Sequence, residues 1–168
     1  MVFLVTEQLV LDRTTLDKNL LSANIKPAII LAQKVQMTTI IGDKLVDKIY
    51  SEIQNGTLSG NYKTLVDDYL TDVVIYATLY HAATSLLSKF TNRGLQQENS
   101  ENSGHSDISV YRELKSDAKN QMEYFSQRAN KWVFKNRADF PEYTICGSDD
   151  GTQQANPNNA FFGGLVIW

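Results

Sequence analysis

The sequence predicts an all-α fold: an antiparallel helical bundle around one long central helix, with extended N- and C-terminal arms. Three observations predict it. Residues 43–54 repeat apolar side chains at spacings of three and four. Residues 62–94 keep that spacing over an unusually long run. No alternation of strand and helix patterns occurs anywhere, and there is no internal repeat. A chain of 168 residues suggests one domain with a real core, and the helical part is bounded at 1–143. Residues 144–168 form an extended tail.

The elements follow in order. Residues 1–13 alternate loosely, as a short strand or arm does. In "RTTLDKNL", Thr14 or Thr15 is an N-cap for a short helix, with Asp17 in its first turn. Pro27 suits the first turn of a helix, so the next one starts near Lys26 and runs to Gly42, a C-cap. Asp43 caps "DKLVDKIYSEIQ", in which Leu45, Val46, Ile49, Tyr50 and Ile53 form one stripe. "NGTLSGN" is a turn by composition. The helix from Tyr62 to Gly94 is apolar nearly all round between Val73 and Leu87, as a buried central helix must be. Residues 95–107 are too polar to pack and read as a loop. A last helix runs from Ile108 to Phe140 and stops at Pro141. Its buried stripe is Tyr111, Leu114, Ala118, Met122 (or Gln121), Phe125, Ala129, Trp132 and Val133. Arg112, Lys115, Lys119, Arg128 and Lys131 take its other faces.

Composition narrows the function. The net charge of −3 gives no overall footprint for nucleic acid, although a small local patch is compatible with it. The single cysteine, Cys146, makes neither an intramolecular disulfide nor a metal site. "MVFLVTEQLV" lacks a basic leader, and no apolar run reaches the ~18 residues of a membrane span.

Candidate chemistry is sparse. His81 falls on the apolar helix and reads as a hydrogen-bonded core residue. Asp67, Asp68 and Asp72 cluster near the start of that helix, where the macrodipole favours negative charge; acid–base work is the weaker reading. "GSDDG" (147–151) lacks the register and closing Glu of a calcium loop. Nucleotide-loop and nucleophile-elbow motifs are missing. The expectation is a non-enzyme without cofactor or metal.

The tail "NAFFGGLVIW" carries Phe161, Phe162, Leu165, Val166, Ile167 and Trp168. Burying all six is worth at most about 9–18 kcal/mol. Ordering ten residues costs about 10–20 kcal/mol. One tail alone therefore gains little, unless "LVIW" also adds a strand to a partner's sheet edge. Many tails in one assembly act together. These six residues are the expected partner interface, with Trp168 as anchor. The competing expectation is that the tail folds back on its own helices, for which Gly163 and Gly164 permit the bend.

The order of "IIGDKLVDKIYSEIQNG" and "YKTLVDDYLTDVVIYATLYHAATSLLSKFTNRGLQQENSEN" resembles the helical head–tail connector (adaptor or head-completion) proteins of tailed bacteriophages, closest to those of Bacteroides and crAss-like phages. The resemblance spans about residues 12–140. It implies a virion protein at the portal–tail junction, assembled in the host cytoplasm. It implies a homo-oligomeric ring, commonly of twelve copies, beneath the portal. Expected partners are other copies, the portal protein and adjacent tail or ring proteins; genomic DNA only passes through the channel, and no membrane is involved. The net charge then predicts a non-adhesive, acidic or mixed lumen. Alternatives are a tail-completion or stopper protein, a small helical regulatory binding protein, or an enzyme acting through Asp67, Asp68 or His81.

Overall fold

A computed structural model describes residues 3–16, 22–91, 94–97 and 108–143. The class is all-α. Helices α1 (Glu7–Arg13), α2 (Ser22–Ala32), α3 (Thr38–Ile41), α4 (Asp43–Asn55), α5 (Gly60–Leu65), α6 (Thr71–Leu87) and α7 (Ile108–Lys135) carry the fold. Two π-helical turns, Gln33–Met37 and Val66–Leu70, join α2 to α3 and α5 to α6 without a break. The expected central helix is thus α5–α6, a rod of roughly 40 Å at ~1.5 Å per residue. It lies between α2 and α7, which pack against α6 but scarcely against each other. Val73, Val74, Ile75, Ala77, Thr78 and Ala82 are all buried on it, as an apolar run without a polar face requires.

An aromatic ladder joins α5–α6 to α7. Tyr62, Tyr69 and Tyr76 recur every seven residues and meet Phe140, Trp132 and Phe125. Tyr76 stacks on Phe125 with centroids 5.1 Å apart and Tyr69 on Trp132 at 4.8 Å; Tyr62 meets Phe140 edge-on at 5.1 Å. Seven residues are close to two helical turns, so the rungs stay on one seam and set an antiparallel register. Each such pair is worth about 0.5–1.5 kcal/mol beyond its buried area.

Gly42 and Gly56 end helices where only glycine is unstrained, at φ 78° and 68°. The Gly42 N–H donates to the Thr38 carbonyl at 2.9 Å, and its own carbonyl accepts from Val46 N at 3.2 Å. Gly56 closes α4 in the left-handed conformation, with Thr57 N reaching back to the Glu52 carbonyl at 2.9 Å. The expected α4 stripe holds: Leu45, Val46 and Ile49 are buried and Tyr50 and Ile53 pack against the core.

Several expectations are corrected. Residues 7–13 are helical, not a strand or extended arm: Thr6 caps α1 by accepting from Leu9 N at 3.2 Å, and Val10 and Leu11 are buried. No helix starts at Thr14, which is the C-cap of α1; residues 17–21 lie outside the described residues. The second helix begins at Ser22, with Pro27 inside it. Proline there withholds one intrahelical bond, the one to the Ala23 carbonyl, near the start of the helix. The central helix ends at Leu87, and Ser88–Thr91 pairs antiparallel with Gly94–Gln97. The polar "TNRG" supplies no apolar face with which to extend the helix. The last helix ends at Lys135, followed by the short 3-10 turn Arg137–Asp139. Leu114 is 54% exposed rather than buried, because the ladder's register sets it level with Leu87, where α6 ends.

Gln33 is fully buried in the first π turn. Its Oε1 accepts from Leu4 N at 2.9 Å, and its Nε2 donates to the Tyr50 hydroxyl at 3.4 Å. It therefore ties the N-terminal segment to α4, beside the buried Val5. Replacing it by Leu leaves the Leu4 N–H without its acceptor, at a cost of about 1–3 kcal/mol. Denaturant melts of Gln33→Leu should show that loss, with faster amide exchange at Leu4. A double-mutant cycle of Tyr76→Ala and Phe125→Ala should return a coupling of about 1 kcal/mol; additivity would mean that the rung does not hold the two helices in register.

Candidate interaction surfaces

The six tail residues expected to form the partner interface, Phe161, Phe162, Leu165, Val166, Ile167 and Trp168, lie outside the described residues, as do Cys146 and "GSDDG". The structure does locate the candidate chemical groups. Asp72 pairs with Arg13 at 2.7 Å and Asp67 with Lys63 at 2.6 Å, while Asp68 points to solvent. The helix begins at Gly60, so these carboxylates sit beyond its first turn and two of them answer cations rather than the macrodipole. Among the described residues no group of three or more His, Cys, Asp or Glu side chains is placed to hold a metal ion.

Two outward faces stand out. On α2 and the π turn after it, Pro27, Leu31 and Val35 are exposed about one turn apart; Leu31 and Val35 keep 46% and 43% of their surface. Ile25, Ala28, Ile29 and Ala32 occupy the inner side. Phe3 adjoins the ridge, with the Lys26 ammonium 5.7 Å above its ring. The signal is visible in "IKPAIILA", which holds more apolar residues than one core-facing stripe can absorb. On α7, Phe125, Ala129, Trp132 and Val133 face inward, and Tyr124, Gln127, Arg128, Lys131, Phe134 and Lys135 are exposed on the far side. No carboxylate occurs between Glu123 and Asp139, whereas Arg128, Lys131, Lys135 and Arg137 do. The expectation of solvated cations on other faces missed this one-signed run.

Burial governs the shifted tyrosine and histidine titrations, whereas Lys63 is raised by its hydrogen bond to Asp67. Tyr50, Tyr62 and Tyr143 are all raised, chiefly by desolvation; for Tyr62 a hydrogen bond to Glu142 adds to it. His81 is corrected in one respect: its Nε2 is buried without a hydrogen-bond partner among the described residues, so that nitrogen is not satisfied as expected of a core histidine. Desolvation, and then the Lys115 charge, hold its imidazole below the ordinary 6.5. The folded state thus binds fewer protons than the unfolded one, and His81 costs stability as pH falls below about 6.5 toward the lowered folded value. Melting temperature should drop between pH 7 and 5.5, and His81→Gln should flatten that drop; an unchanged profile would remove His81 as its source.

Among the described residues no helix is long and apolar enough to cross a membrane. No curated protein and no solved structure matches the chain. A family model matches residues 37–153, from the end of the first π turn through α7, leaving the α2 ridge before it and residues 161–168 after it. That stretch is more than half of the sequence, and the chain belongs to DUF6712, a family of unknown function.

Proposed function

We propose that this protein is a structural virion subunit that forms a ring between phage portal and tail and continues the DNA channel. The resemblance over residues 12–140 supplies the role. The observation that carries it here is the apolar ridge Pro27–Leu31–Val35, exposed on a helix whose inner side is already in the core. Such a ridge suits permanent burial against another subunit. A closed ring of identical copies needs two unlike faces that fit one another, and the α2 ridge would supply one of them. The tail 159–168 adds a second apolar contact, for the portal or an adjacent ring protein. Both lie outside the family-matched stretch, as contacts with particular neighbours would.

Native mass spectrometry of the protein mixed with the portal protein of the same phage tests this reading. A portal-stoichiometric complex is expected, weakened when residues 144–168 are removed. Leu31→Glu with Val35→Glu should shift the assembly toward free subunits while the melting temperature stays within a few degrees. No complex with either chain, and a truncated chain that no longer folds, would make the tail part of the core and sink the portal assignment.

A further inference from the structure

We propose that the outer face of α7 binds the phosphate backbone of duplex DNA. Between Glu123 and Asp139 the chain carries Arg128, Lys131, Lys135 and Arg137 and no acid, within a protein whose net charge is −3. The inward residues Phe125, Ala129, Trp132 and Val133 fix the direction of the rest. Tyr124, Gln127, Arg128, Lys131 and Lys135 therefore share one outer face over roughly 16 Å at ~1.5 Å per residue. All of these are exposed.

The cations are held but not neutralised. None of the four forms an ion pair with a carboxylate among the described residues. The Arg128 guanidinium lies 4.8 Å from the Tyr69 ring centroid and that of Arg137 4.8 Å from Phe134, and Arg137 Nη1 also donates to the Phe134 carbonyl at 3.1 Å. A guanidinium resting on a ring keeps N–H groups at its edge for an anion. The structural alternative is compensation of the helix macrodipole. That accounts for Lys135 in the last turn, but Arg128 and Lys131 stand further back than the effect reaches.

Successive cations along the face are separated by about 4.5–6 Å of helix rise, which flexible side chains match to successive phosphates. Side chains of this kind grip a backbone without reading sequence, the behaviour that a channel wall requires. An anionic membrane is the poorer occupant, since only Tyr124 and Phe134 on this face could enter a bilayer. The choice of duplex DNA rests on the connector reading; the basic face does not. It departs from the expectation of a non-adhesive, acidic or mixed lumen, because a whole-chain charge of −3 does not describe one helix face.

The test is fluorescence anisotropy of a labelled 30-base-pair mixed-sequence duplex with the full chain, titrated with salt. Lys131→Gln with Lys135→Gln should lower the slope of log affinity against log salt by about two. Lys34→Gln, at an exposed cation in the π turn after α2, should leave it unchanged. Circular dichroism checks that both variants fold. No binding at low salt, or equal binding and slope in the double variant, would overturn the proposal. So would stronger face-dependent binding to phosphatidylserine vesicles than to DNA. Portal assembly without DNA binding would remove this inference alone. Face-dependent DNA binding without portal assembly would remove the connector reading and leave the face.

Discussion

The aromatic seam of Tyr62, Tyr69 and Tyr76 against Phe140, Trp132 and Phe125 constrains most of the structure. Helices without distinctive side chains slide past each other at little cost, since one Leu or Val contact replaces another. Large flat rings spaced seven apart do not allow this, because a slip of one turn would set every ring against a different residue. The rungs thereby fix which side of α7 faces the core. With Phe125, Ala129 and Trp132 inside, helical geometry turns residues 124, 128, 131 and 135 outward. The place of the basic face is a consequence of the seam. Cations also sit over its half-buried rings: Lys48 above Tyr62 at 6.0 Å and Arg128 above Tyr69 at 4.8 Å.

How much was legible in the sequence depended on what each residue had to satisfy. The α4 stripe, the Gly42 stop and the buried stretch of α6 from Val73 to Ala82 follow from local patterns, and the structure has them. Pro27 misled because its preference for the first turn is a tendency, and the residues before it fold as helix under tertiary packing. The α1 helix was missed because its seven residues are too few for periodicity to speak; Thr6 was the available cap signal. Leu114 has the right spacing, but spacing cannot say where the neighbouring helix stops. The ladder itself was half visible. Phe125 and Trp132 fall on the buried stripe read for the last helix, yet their partners depend on the register of two distant segments. Nothing described bears on the tail residues 161–168.

The burial of Gln33 and of the His81 ring shows a core that admits polar groups in two different ways. Gln33 has partners on both sides of its amide and joins segments that are far apart in sequence. Its place in a π turn fits this, since a widened turn re-aims a side chain out of the regular stripe. His81 has no such partner at Nε2 and stays neutral near a lysine. The first is a device of specificity; the second is a local cost that grows as pH falls.

Enclosure of the central helix leaves α2 and α7 to meet the surroundings, and the two differ in kind. The outer side of α2 is apolar, so contact there gains from removing water and favours a lasting protein neighbour. The outer side of α7 is cationic and hydrated, so contact there depends on ions and is easily reversed. A subunit that holds its neighbours permanently while DNA moves past it needs both kinds of surface, on different helices. In the proposed ring, the same seam that holds α7 against the central helix would keep the basic face out of the apolar subunit contact. Moving Arg128 or Lys131 onto the α2 ridge would place unpaired charge in a dry interface, and moving Leu31 or Val35 onto α7 would give the channel an adhesive wall.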